Sequence, residues 1–279
     1  MNGDFSSTPG PIGIFDSGYG GLTILDSIRR RLPQYDYLYL GDNARAPYGP
    51  RSFDVVYEFT RQAVEHLFQE GCHLVVLACN TASAKALRTI QQQDLPRWDS
   101  GRRVLGIIRP TAEVIGSLTQ SRHVGVLATE GTIKSQSYNL EIQKLHPAIV
   151  VTGVACPLWV PIVEAGEAQS PGADYFVKKY LDELMERDPL IDAVILGCTH
   201  YPLLLQKIRM YAPAHVKIIP QGDYVASSLS NYLQRHPEME QYCSKTGTTR
   251  YLTTENPIVF SQQARHFMGQ PVDASQTKL

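Results

Sequence analysis

The strongest constraint in this chain is a rhythm. Short apolar runs of strand length recur along it, each followed by a stretch with helical periodicity, and several runs are apolar at every position rather than at alternate ones. Strands are read at PIGIFD (11–16), YDYLYLGD (35–42), HLVVLACN (73–80), RRVLGII (102–108), HVGVLAT (123–129), IVVTGVA (149–155), DAVILGCT (192–199) and VKIIP (216–220). Helical patterns lie between them, notably over 22–32, 52–71, 83–93, 175–187 and 201–211. A strand that is apolar on both faces has to be covered on both faces, and a parallel sheet with crossover helices on each side does this. The expected class is α/β, with mainly parallel sheets flanked by helices.

A weak internal repeat points to two similar halves. IGIFDSGYGG (12–21) aligns by pattern with VGVLATEGT (124–132), and LACNT (77–81) aligns with LGCTH (196–200). In each half an apolar run stops at a small residue and then presents a cysteine and two polar side chains. Ligands of open parallel sheets bind at the carboxyl ends of the strands, so both thiols are expected to face a cleft between the halves.

The gross numbers exclude several classes. Across 279 residues, 26 Lys and Arg face 27 Asp and Glu, giving a formal net charge of -1 with the signs scattered. No basic field points to nucleic acid and no polybasic segment to a membrane, while a small neutral or acidic metabolite stays open. No run approaches the roughly 18 apolar residues of a spanning helix, and the first residues lack the basic and apolar regions of a signal peptide, so a cytoplasmic protein is expected. The first dozen residues read as a short disordered extension. Five scattered cysteines, with no C-x-x-C pair, make neither a disulfide framework nor a zinc site.

Each cysteine of the doubled device stands at a strand-to-helix junction. Asn80 and Thr81 follow Cys79; Thr199, His200 and Pro202 follow Cys198. A helix N-terminus favours a thiolate, and its N–H groups, with the side chains of Asn80 and Thr199, could hold a carboxylate. The plainer alternative is a small core residue, and that reading is kept for Cys72, Cys156 and Cys243. Asp16 and Ser17 end the first strand before a turn containing Gly18, Gly20 and Gly21; its spacing is not G-x-G-x-x-G, which argues against a nucleotide site. Asp16 either handles a proton near a thiol or caps the next helix. GDNARAPYG (41–49) reads as a loop that offers turn geometry and a phenol at Tyr48, or simply as a connection with a surface tyrosine. Thr129, Thr132 and Ser135 supply hydroxyls in the second half, and Glu164 reads as a solvated helix carboxylate.

IFDSGYGG, GDNARAPYG, LACNTASA, GVLATEGTIKSQSY, CPLWVPIVEAG and LGCTHYPLL, in this order and spacing, resemble the glutamate racemases of the aspartate/glutamate racemase superfamily. The likeness runs from about residue 12 to about residue 270 and takes in YLTTENPIVFSQQARHFMG. It implies an enzyme that interconverts L- and D-glutamate without a cofactor and supplies D-glutamate for peptidoglycan. It further implies two pseudosymmetric α/β domains, residues 1–100 with 212–279 and residues 101–211, with the active site between them, and commonly a homodimer. Carried over by motif, Cys79 and Cys198 are the two bases, Cys79 for D-glutamate and Cys198 for L-glutamate, with Asp16 and His200 assisting them respectively. Asp16, Ser17, Pro47, Tyr48, Gly49, Asn80, Thr81, Thr132 and Thr199 fall where the family binds glutamate, and Glu164 falls on a carboxylate near the active site. Thr111 and Ala128 depart from the pattern, standing where many relatives carry glycine.

Two-base chemistry gives the doubled device a purpose. Racemisation removes a proton from one face of Cα and returns one to the other, so two groups must flank the substrate. Three rivals share some of these residues. A Cys-His hydrolase or acyl transferase would leave one thiol idle, a two-lobed amino-acid receptor would bind without exchanging the α-proton, and an aspartate racemase would differ by one methylene of substrate.

Overall fold

In a computed structural model, which describes residues 8–99 and 101–279, the alternating pattern becomes two parallel sheets. The first is built on β1 (Ile12–Asp16), β2 (Tyr37–Gly41), β3 (Leu74–Leu77) and β4 (Arg103–Gly106). The second uses β5 (His123–Ala128), β6 (Val150–Ala155), β7 (Ala193–Gly197) and β8 (Lys217–Ile219). Two strands absent from the sequence reading, β9 (Thr249–Thr253) and β10 (Ala274–Gln276), return to the first sheet. The orders are β10-β9-β2-β1-β3-β4 and β6-β5-β7-β8, with every pairing parallel.

The internal repeat is visible in these orders: β2-β1-β3-β4 has the same connectivity as β6-β5-β7-β8. Register sharpens the match, because Phe15 pairs with Leu77 two residues before Cys79, and Leu127 pairs with Leu196 two residues before Cys198.

Strands that are apolar throughout are buried on both faces. On β1, β2 and β3, Ile12, Ile14, Tyr37, Tyr39, Leu74 and Val76 join one core, while Phe15, Leu38, Leu40, Val75 and Leu77 join the core on the opposite face. The second sheet divides likewise, with Ala193 and Ile195 on one side and Val194 and Leu196 on the other. Period-2 alternation carries Cys79 into the core with Val75 and Leu77 and Cys198 into the core with Val194 and Leu196, each at the carboxyl end of its strand.

Strand pairing departs from the expected division at both edges. β4, placed in the second domain by the 100/101 boundary, hydrogen-bonds to β3; β8, placed in the first by the 211/212 boundary, hydrogen-bonds to β7. The chain therefore crosses between sheets after Gly106 and again after Ile219, at helices Ile108–Leu118 and Gly222–Arg235. Helix Ile108–Leu118 packs with the second sheet through Ile108, Ala112 and Ile115, and Gly222–Arg235 packs with the first through Val225 and Leu229.

Local signals explain other differences. The expected helix over 83–93 begins earlier, at Asn80, and is broken by a π-helical turn over Ile90–Asp94. The helix expected over 175–187 starts at Pro171, where Ser170 caps the N–H of Ala173. Of the expected disordered extension, residues 1–7 lie outside the described residues, but residues 8–11 are held. Gly10 exchanges backbone hydrogen bonds with Tyr242 and Ser244 at 3.0 and 2.8 Å, and the Thr8 carbonyl lies 3.1 Å from the His73 ring. Among the described residues no helix is long and apolar enough to cross a membrane.

Candidate active site

Cys79 lies just beyond β3 and caps helix Asn80–Lys85, its sulfur accepting from the Ala82 N–H at 3.4 Å. Ser17 Oγ stands 3.3 Å from the same sulfur, brought there by the β1 terminus next to β3. Burial and the nearby Asp16 charge push this thiol up to about 12, against the hydrogen bonds from Ser17 and Ala82, and Cys198 contributes to the same field. Cys79 is thus a thiol at neutral pH.

Asp16 ends β1 and is 1% exposed. Its Oδ2 accepts the Gly18 N–H at 2.9 Å, while its Oδ1 is buried without a partner. Burial raises its carboxyl above the ordinary range, opposed by the His200 charge and the backbone N–H groups of Gly18 and Gly21. A buried acceptor without a donor calls for an explanation, and a ligand group is one. Gly21 is the first residue of the next helix, so Asp16 also faces a helix start, as the helix-cap alternative expects.

The second thiol has different company. Cys198 Sγ is 3.9 Å from His200 Nδ1, and His200 Nε2 is 2.9 Å from Glu164 Oε1. Glu164 closes helix Trp159–Glu164 and is only partly exposed, so the expectation of a merely solvated carboxylate gives way to an ion pair with a buried histidine. Burial alone would lower the imidazole, but its hydrogen bonds and charge contacts with Cys198 and Glu164 outweigh this and raise it to about 10. His200 is therefore a cation at neutral pH, and the sequential neighbour Thr199 presents its carbonyl to Thr23 Oγ1 at 3.0 Å.

A third cluster joins the halves by hydroxyls. Thr81 Oγ1 lies 2.9 Å from Thr129 Oγ1 and 3.4 Å from Thr132 Oγ1, and the latter two are 3.1 Å apart. The Gly49 carbonyl reaches across to the Gly131 N–H at 3.0 Å, so the 41–49 loop is part of the same junction. Ser135 is not in this cluster; it donates to the Thr132 carbonyl and faces Ser137.

One expected ligand is turned differently from the sequence reading. Tyr48 is buried, its hydroxyl donating to Asp42, so it is neither a surface phenol nor a phenol aimed at the thiols. Asp42, which no sequence argument singled out, also accepts from Arg45 Nε at 2.6 Å and from Thr254 Oγ1 at 2.9 Å, and so pins the loop that carries Pro47, Tyr48 and Gly49. Pro47 is exposed at the loop surface and follows a cis peptide bond from Ala46. Asn80 is 3% exposed, with its side-chain oxygen and nitrogen both engaged, by Tyr138 and Gln221.

Both thiols are 6% exposed, so this is a closed arrangement with acid, base and hydroxyl groups gathered from the carboxyl ends of strands in both sheets. Residues 21–227 match the Asp/Glu/Hydantoin racemase family. A glutamate racemase of Ruegeria sp. (strain TM1040) is 40% identical over 267 residues, covering 92% of this chain and 96% of that one. Two solved structures agree in fold: glutamate racemase isoform RacE1 of Bacillus anthracis, with a TM-score of 0.87, 34% identity and coverage of 96% and 97%, and the Francisella tularensis glutamate racemase in complex with D-glutamate, with a TM-score of 0.84, 31% identity and the same coverage. With matched strand orders, matched thiols and relatives of this similarity over nearly the whole length, the chain belongs to the Asp/Glu/Hydantoin racemase family.

Proposed function

We propose that this chain is a cofactor-independent, two-base racemase that interconverts L- and D-glutamate and supplies D-glutamate for peptidoglycan. The observation that carries the reading is the pair of buried cysteines at equivalent strand ends of two pseudosymmetric halves. The names of the relatives, and the D-glutamate bound to the Francisella protein, favour glutamate as the substrate.

Two lobes, one on each sheet, close over the substrate, with the crossings after Gly106 and Ile219 as hinges. Cys198, beside the His200 cation, takes the α-proton of L-glutamate; Cys79, protonated at rest, delivers a proton to the opposite face. The roles reverse for D-glutamate. After L-to-D turnover the abstracted proton rests on Cys198 and Cys79 is a thiolate, the state that takes D-glutamate; Asp16 relays a proton from solvent to Cys79 as Cys198 gives its own to solvent, and Ser17 borders the substrate ammonium. His200, held by Glu164, balances the charge that develops at Cys198. Asn80, Thr81, Thr132 and Thr199 hold one carboxylate, and the backbone of Pro47, Tyr48 and Gly49 borders the pocket that takes the rest. Closure excludes water from a carbanion-like species. The protein acts in the cytoplasm as a homodimer, which sedimentation analysis would test.

The deciding experiment is purified protein with L-glutamate in D₂O and no added metal or pyridoxal phosphate, with optical rotation and α-proton loss followed together. Decay of rotation with deuterium at Cα supports the proposal. Binding without exchange would favour a receptor, and faster turnover of aspartate would reassign the substrate.

The His200 cation also predicts an alkaline limb of stability. Its folded value of about 10 lies above the ordinary imidazole value, so the stabilisation is complete below about 6.5 and is lost as pH rises through about 10. Glu164→Gln removes one of the partners that hold the value up. The denaturant midpoint of this variant should fall at lower pH than that of the wild type between about pH 7 and 10. Identical pH profiles for the two proteins would contradict the pairing.

A further inference from the structure

Gln221 occupies the link between β8 and helix Gly222–Arg235, where the chain crosses back toward the first sheet, and it is 2% exposed. Its Nε2 lies 3.1 Å from the Ile107 carbonyl, 3.1 Å from Thr111 Oγ1 and 2.7 Å from the Tyr138 hydroxyl. Its Oε1 accepts from Asn80 Nδ2 at 2.8 Å, and the Tyr138 hydroxyl donates to Asn80 Oδ1 at 2.6 Å. All four side chains are buried, and they come from both chain crossings and from both lobes.

The orientation of this cluster is determined by one backbone group. The Ile107 carbonyl can only accept, so it must face the nitrogen of the Gln221 amide and not the oxygen. The Gln221 oxygen is then left to face Asn80, which must meet it with Nδ2. Tyr138 completes a ring of three hydrogen bonds in which every group donates in the same sense, so that each bond reinforces the others. Burial keeps the Tyr138 phenol protonated by raising it above its ordinary value. The Asn80 carbonyl is thereby consumed inside the ring, while Nδ2 makes that single hydrogen bond among the described residues and retains a second N–H.

We propose that Gln221, with Tyr138, is a positioning residue for substrate binding: the ring fixes the Asn80 amide so that it offers an N–H, and not its carbonyl, to a substrate carboxylate. This rests on the reading of Asn80 as a carboxylate ligand given above. Turned over, the same amide would present a partial negative charge to the carboxylate. Gln221 thus links both hinge segments to the residue that follows Cys79.

The test is steady-state racemisation of both glutamate enantiomers by wild type, Tyr138→Phe, Gln221→Met and Thr111→Val, with Tm measured alongside. Turnover by the wild type is required first, and its absence would overturn the racemase reading together with this one. With the wild type active, Tyr138→Phe and Gln221→Met are each expected to raise KM for both enantiomers about tenfold, equivalent to about 1.4 kcal/mol, with kcat changed less than about threefold, the pattern of lost uniform binding. The double variant should cost little more than either single one, because one break opens the ring. Thr111→Val leaves the ring intact and should hold KM within about twofold whatever its Tm. A KM within twofold of wild type for Tyr138→Phe, with only Tm lowered, would overturn the proposal. So would a KM rise for Thr111→Val equal to that of Tyr138→Phe, since loosening of the hinge would then suffice. If Gln221→Met does not fold, Tyr138→Phe decides alone.

Discussion

Cys79→Ser and Cys198→Ser are each expected to abolish racemisation in both directions, lowering kcat by roughly 10³-fold or more, as loss of a positioned acid or base does. The circular dichroism spectrum and Tm should stay near those of the wild type, because serine is smaller than cysteine by little and each site already holds hydrogen-bonding partners for it: Ser17 and the Ala82 N–H at one, His200 at the other. What serine lacks is acidity. Racemisation in either direction needs both residues, one to take a proton and one to give it, so a single idle position stops turnover from either enantiomer. The two variants differ in exchange. In D₂O, Cys198→Ser should wash out the α-proton of D-glutamate faster than that of L-glutamate, and Cys79→Ser should do the opposite. Near wild-type racemisation by either variant would refute the two-base scheme, and equal washout of both enantiomers would refute the assignment of faces.

The symmetry of the scaffold does not extend to its chemistry. By strand register, the partner of Asp16 in the second half is Ala128, and that of Thr81 is His200. One thiol therefore has a buried carboxyl beside it and the other an imidazolium held by Glu164. Burial and the carboxyl hold Cys79 as a thiol, while Cys198 stands against a cation. Both half-sites end a fully buried strand, so the scaffold fixes where the thiols stand, and their immediate neighbours fix what they do.

The strands and the thiols were legible because they depend on local pattern. Eight apolar runs became β1 to β8, since a continuous apolar run has no stable place except inside a covered sheet. β9 and β10 were missed: the first is Thr-Arg-Tyr-Leu-Thr and the second Ala-Ser-Gln, a polar edge strand with no signal of its own beyond the sheet it joins. The lobe boundaries were misplaced for the same reason, because β4 and β8 read as strands but not as strands of a particular sheet. Tyr138 and Gln221 were invisible because their partners lie far away in sequence, while Asp42 bonds Arg45 and Tyr48 nearby through a loop whose fold no local pattern announces. Tyr138 and Asn80 are 58 residues apart and Gln221 and Asn80 are 141 apart. The one signal available for Gln221 was its place just past a strand's carboxyl end, the same place held by Cys79 and Cys198.

Gly20→Ala should be nearly as damaging as loss of a thiol, through packing rather than chemistry. Gly20 has φ -59° and ψ -35°, ordinary helical values that alanine adopts freely, so backbone strain plays no part. A Cβ there would stand 2.3 Å from Thr199 Oγ1 and 2.4 Å from His200 Nδ1, contacts that no side chain tolerates. His200 is itself held by Glu164 and close to Cys198, so it cannot retreat without releasing one of them. The turn from the first lobe must therefore withdraw from the second, widening the distance between the half-sites. A displacement of this order costs about 10²-fold in kcat/KM, and overpacking costs about 1–3 kcal/mol in stability. Gly18→Ala serves as the stability control, because its nearest neighbour, Glu164 Oε1, would lie at an ordinary 3.8 Å. If Gly20→Ala keeps wild-type kcat/KM, the lobes do not need this close approach to bring the two thiols to opposite faces of one carbon.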